Sequence, residues 1–127
     1  MEKFSVPSDL DDFQKPAFMM REPFWFDMFR TMQAVRNKCN GNAMKLTEAN
    51  GGKVNFGGAF FVHTFGILVP VKKYWDTHPE YFSEIDGKRL KERTQLCLSN
   101  PVVLTIVTNG VLGWIKSNPT ASIFSVS

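Results

Sequence analysis

The stretch SNPVVLTIVTNGVLGWIKSNP, Ser99 to Pro119, constrains the possible fold of this chain more than any other. Proline is tolerated in a first helical turn because the N–H it lacks would have no intrahelical partner, so Pro101 suits a helix start. Ser99 or Asn100 can cap the N–H groups that follow. Val103, Ile106, Val107, Val111, Trp114 and Ile115 recur at three- and four-residue spacing, which places them on one helical face, and Asn118-Pro119 stops the helix. ASIFSV, Ala121 to Val126, follows as a compact apolar run suited to a buried strand. A helix leading directly into a buried strand is half of a β/α unit, so strands upstream must pair with it in parallel.

Two upstream runs fit that requirement. Ala17 to Met20, after Pro16, reads as a short buried strand broken at Arg21, Glu22 and Pro23. Ala59 to Val62 reads as a second, with His63-Thr64 at its end. Between them Met28, Met32, Val35 and Cys39 trace a helical stripe, with Asp27 as N-cap and Asn40-Gly41 as its stop. Asn42 to Gly58 is glycine-punctuated loop with one helical turn near Ala43 to Ala49. Its glycines match neither GxGxxG nor GxxxxGK[ST], so they read as turn chemistry and not as a phosphate cradle. A short helix is predicted after Pro70, and Asp86-Gly87 predicts a hairpin. Residues 1–15 are polar and read as a connector, leaving 16–127 as the folded domain.

Three parallel strands with covering helices leave two open edges. A closed eight-stranded barrel takes about 250 residues, and this chain has 127. The fold class expected is therefore α/β: a partial (β/α) barrel of the TIM type, or a small three-layer unit whose open sheet edge is buried by self-association.

Several function classes are excluded on composition. A net charge of +3 with acids and bases interleaved between Lys72 and Arg93 is a solvated mixed surface and not a phosphate-tracking patch, so no nucleic-acid partner is expected. No run approaches the roughly 18 apolar residues of a membrane span, and MEKFSVPSDLDDF has acids where a signal peptide needs an apolar run. A soluble chain without membrane contact or signal peptide is expected, its compartment undetermined. Cys39 and Cys97 stand far apart, without CxxC spacing or a histidine pair. They read as buried free thiols, with a disulfide left open, and neither a metal site nor a cofactor is expected. No GxSxG elbow is present to support a Ser/His/Asp hydrolase.

The motifs VHTFGILVP, YW and HPEYFSEIDGKR at their spacing, then QLCLSNP, WIKSNP and ASIFSVS, with REPFWFD and RNKCNG before them, resemble the bacterial family known as domain of unknown function 4838. The likeness runs from about Pro16 to the end and corresponds to an N-terminal part of longer relatives. It implies a glycoside-hydrolase-like barrel related to α-glucuronidases and, as saccharide ligand, a glycan or uronic-acid sugar bound at the strand ends. The relatives continue after SVS into a polar loop beginning QND, which is absent here, and Leu104, Thr108 and Gly113 are less polar than their counterparts.

In a barrel, functional side chains project from the C-terminal ends of strands. Arg21 and Glu22 stand after the first predicted strand, His63 and Thr64 after the second. Arg21 could hold a carboxylate or hydroxyls through its planar fork, and His63 could donate to a sugar hydroxyl or carboxylate, although both also suit purely structural pairing. Trp25 and Trp75 could stack on a sugar ring or serve the core. HPEYFSEIDGKR reads as a scaffold that packs Tyr81 and Phe82 inward, because Pro79 restricts His78 to extended backbone. Glycosidic hydrolysis needs two carboxyls about 5–10 Å apart, and only Glu22 has a strand-end position, so the catalytic residues are unknown. The expected function is an N-terminal fragment of a carbohydrate-active enzyme, inactive alone. The alternatives are a non-catalytic sugar- or protein-binding α/β module that self-associates, or a truncated product with no independent role.

Overall fold

A computed structural model describes residues 5–127. The protein is a small mixed α/β unit in which most elements are short and one helix dominates. A 3-10 turn at Phe26–Phe29 precedes α1, Thr31–Arg36; a second 3-10 turn, Glu48–Asn50, leads to β1, Phe56–Gly57. Helices α2 (Phe65–Leu68) and α3 (Val71–Tyr74) come next, then a 3-10 turn at Pro79–Tyr81. A hairpin of β2 (Glu84–Ile85) and β3 (Lys88–Arg89) precedes α4 (Pro101–Ser117) and β4 (Ile123–Phe124). None of the described helices is long and apolar enough to cross a membrane.

Helix α4 forms as its sequence dictates. The Asn100 side chain accepts from Val102 N at 2.9 Å and Val103 N at 3.4 Å, with Pro101 in the first turn. Such a cap contributes about 1 kcal/mol. Val103 and Val107 are buried against Val69, Tyr81, Phe82 and Leu96, with Ile106 and Val111 packed at the edge of this cluster. Gly110 lets α2 approach, since a Cβ there would lie 2.5 Å from Leu68 Cδ2. Ile115, expected on the buried face, is largely exposed.

The hairpin also forms where predicted. Asp86 and Gly87 have φ of 50° and 74°, the pair of positive values that a two-residue turn matched to strand twist requires. Tyr81 and Phe82 pack inward, and Phe82 bridges antiparallel to Leu96.

The parallel sheet departs from expectation. It has two strands, with Phe56 paired to Ile123 and Gly57 to Phe124, and no barrel is formed among the described residues. The strand expected at Ala17–Met20 is absent: Phe18 and Met19 are exposed, and their carbonyls accept from the Arg21 guanidinium and from Asn40 Nδ2. Side chains thus satisfy backbone groups that a neighbouring strand would otherwise have taken. The strand expected at Ala59–Val62 lies three residues earlier. Gly58, at φ 82°, turns the chain out of the extended region beneath the Trp114 ring, so pairing ends at Gly57.

The first helix is also shorter than the Met28–Cys39 stripe suggests. Arg30 is extended and separates the 3-10 turn from α1, which rotates Ala34 inward and leaves Met32 exposed; the expected Asp27 cap does not form. The helix ends before Asn40-Gly41, through Lys38 at φ 53°. Lys38 N donates to Val35 O at 3.0 Å and Cys39 N to Ala34 O at 2.8 Å, the paired bonds of a left-handed C-terminal cap. Ala34, Cys39, Met44 and Leu46 form a second small core.

The β1–β4 contact is tight at Gly57, where a Cβ would overlap the Phe124 ring and lie 2.8 Å from Ala121 Cβ. Gly57→Ala is expected to destabilise by about 1–3 kcal/mol through overpacking, read as a lower urea midpoint. Gly66→Ala, whose Cβ would meet nothing within 4 Å, should leave the midpoint near wild type. Equal midpoints for the two variants would show that this contact does not hold the strands.

Candidate functional site

The C-terminal ends of β1 and β4 lie side by side, and the segments leaving them are fastened to each other. Thr64, fully buried, directs its hydroxyl at Ser125 O (3.0 Å) and Ser127 O (3.3 Å) and accepts from Ser127 N at 2.9 Å. Phe65 N donates to Ser127 O at 2.8 Å, and His63 N to Ser127 Oγ at 3.2 Å. These bonds pin His63 at its own N–H and through the two residues that follow it, and His63 lies at φ 56°. A non-glycine residue in the left-handed region costs on the order of 1 kcal/mol and persists only where its surroundings impose it.

Beside this junction is a cleft of about 210 Å³. Val69, Val71, Phe82 and Leu96 form its apolar floor, Phe65 and Gly66 one wall, and His63, Thr94, Gln95 and Ser127 its polar rim. Neither the imidazole of His63 nor the side-chain amide of Gln95 has a hydrogen-bond partner among the described residues. The arrangement can hold a small ligand with one apolar face and several hydroxyls. Among the described residues no carboxylate side chain lines it, so the cleft by itself does not supply the carboxyl pair of a glycosidase.

Of the four residues singled out from sequence, His63 and Thr64 meet at this junction, His63 on the cleft and Thr64 behind it as the fastener. Arg21 and Glu22 lie together elsewhere. The Arg21 guanidinium donates to the carbonyls of Lys38, Phe18 and Met19, and Asn40 Oδ1 accepts from Arg21 N at 2.9 Å. Glu22 Oε1 accepts from Ala43 N at 2.8 Å, and its side chain packs on Gly41. These contacts fasten the 18–22 segment to the loop after α1, and no hydrogen bond joins the two pairs among the described residues. Gln95 and Thr94 carried no sequence signal: they sit in an irregular segment and reach the cleft only because Phe82 pairs with Leu96.

The aromatic and titratable candidates divide similarly. Trp75 packs in the core with its ring 5.5 Å from Phe82, whereas Trp25 is 73% exposed. His78 stacks flat on Tyr81 at 4.6 Å, with Nδ1 3.0 Å from Glu80 Oε1. A backbone hydrogen bond and the contact with His78 hold the Glu80 carboxyl below its ordinary value. Cys39 is buried and Cys97 half-buried, both as free thiols; the Ser99 hydroxyl, 3.4 Å away, draws the Cys97 thiol below its usual range.

A family model described as Domain of unknown function (DUF4838) matches residues 1–127. The chain belongs to this family. No curated protein and no solved structure matches it. The DUF4838 match covers the junction, the cleft rim and the 18–22 segment alike.

Proposed function

We propose that this DUF4838 chain is the N-terminal portion of a glycoside-hydrolase-like, carbohydrate-active enzyme that binds a saccharide and has little or no hydrolytic activity alone. In this reading residues 1–15 are a connector and 16–127 an incomplete β/α barrel. The observation that carries it is the location of the cleft, with His63 on its rim, at the carboxyl ends of a parallel strand pair, where open α/β folds hold their ligands. Thr64 fixes the backbone that presents His63, while Arg21 and Glu22 shape the preceding segment. The catalytic acids belong to polypeptide that packs against these elements.

One observation favours a second reading, a non-catalytic sugar- or protein-binding module that self-associates. Among the described residues both outer edges of the β1–β4 sheet are unpaired, and α4 has Lys116 as its only charge while exposing Leu104, Leu112 and Ile115. These exposed side chains, set beside Thr105, Thr108 and Asn109, give α4 an apolar patch that a partner surface could cover.

Calorimetric titration against a panel of neutral and acidic oligosaccharides tests saccharide binding. Binding at millimolar ligand is expected, abolished by His63→Ala and by His63→Asn, which keeps a residue tolerant of the left-handed backbone. Absence of binding by the parent sequence at that concentration would remove both sugar readings. Glycoside cleavage by this chain unaided would overturn the fragment reading, and a concentration-dependent dimer in sedimentation would favour the self-associating module.

A further inference from the structure

Building on the saccharide reading, we infer that the cleft takes one neutral pyranose ring and discriminates against the same ring carrying a carboxylate. The volume of about 210 Å³ falls below the roughly 300–1,000 Å³ of pockets that enclose drug-sized ligands, and it matches a single ring seated in the cleft. The apolar floor suits the C–H face of a sugar. Around it, the free imidazole of His63, the free amide of Gln95 and the hydroxyls of Thr94 and Ser127 offer both donors and acceptors, which is what neutral hydroxyls require.

Charge decides the preference. Among the described residues the lining contains no Lys, Arg, Asp or Glu. A carboxylate entering would lose water over the apolar floor with no lysine or arginine in the lining to compensate, whereas a hydroxymethyl group exchanges its water for Gln95 or Ser127 at little cost. Arg21, the natural carboxylate fork, is committed to backbone carbonyls away from the cleft.

The test compares methyl glucoside with methyl glucuronide, which differ only in whether C6 is a hydroxymethyl group or a carboxylate, by NMR titration of the His63 ring and Gln95 amide signals. The chain is used with its terminal carboxyl amidated, so that no backbone charge at Ser127 contributes. Saturable shifts with the glucoside, and affinity at least about tenfold weaker for the glucuronide, are expected. Gln95→Leu should weaken glucoside binding about three- to tenfold, with an unchanged melting temperature as the folding control. Equal or tighter glucuronide binding overturns the inference and leaves the saccharide reading standing. Shifts confined to residues away from the cleft overturn it in the same way. If the whole oligosaccharide panel also fails to bind, the saccharide reading falls too.

Discussion

Phe82→Ala is expected to destabilise the protein by about 3–5 kcal/mol, a large fraction of the roughly 5–15 kcal/mol that holds a domain folded. Phe82 is 1% exposed and lies at the centre of the main core, in contact with Trp75 and surrounded by Val69, Leu96, Val103 and Val107. Its backbone bridges to Leu96, and its carbonyl accepts from the Arg89 guanidinium, so truncation leaves a cavity in a place the backbone cannot easily move to fill. Urea denaturation followed by tryptophan fluorescence measures the loss. Phe24→Ala supplies the contrast, because Phe24 is 62% exposed, and it should cost less than about 1 kcal/mol. A loss below roughly 1.5 kcal/mol for Phe82→Ala would mean that stability does not reside in this cluster.

The second large effect is expected at Thr64. Thr64→Val preserves shape but removes the hydroxyl that serves Ser125 O, Ser127 O and Ser127 N. These bonds are part-buried and Ser127 O keeps its bond from Phe65 N, so a loss on the order of 1–2 kcal/mol is expected. The damage should be local as well as global. Hydrogen exchange at the amides of Phe65 and Ser127 should accelerate, and saccharide affinity should fall because His63 is no longer fixed. Thr64→Ser keeps the hydroxyl and should restore slow exchange and affinity together. If Thr64→Val leaves the exchange of those amides unchanged, the hydroxyl is not what joins the two strand ends.

Both effects concern the same architecture. The Phe82 cluster packs α4 and the 81–96 excursion together, and the Thr64 junction fastens the ends of the parallel strands beside it. The cleft lies between them, with its floor from the Phe82 cluster and its rim shared between His63 and Ser127 of the junction and Thr94 and Gln95 of the excursion.

The sequence alone determined the elements whose signals are local. Asn100-Pro101 and the valine spacing specify α4, Asp86-Gly87 specifies the hairpin, and Tyr81 with Phe82 is recognisably inward-facing, because capping, turn dihedrals and helical periodicity act within about four residues. The apolar run Ala59–Val62 predicts a strand end directly before His63 and Thr64, whereas the strand ends at Gly57, six residues before His63. Tertiary structure decided the remainder. Ala59–Val62 is as apolar as a strand, yet Phe56 and Gly57 pair with Ile123 and Phe124, since strand pairing is settled by contacts between distant segments that no local window contains. Ala17–Met20 lost its strand for the same reason, its carbonyls being taken by Arg21 and Asn40. The cleft could not be read at all in advance, because Thr94, Gln95 and Ser127 meet His63 only after two separate chain crossings bring them there.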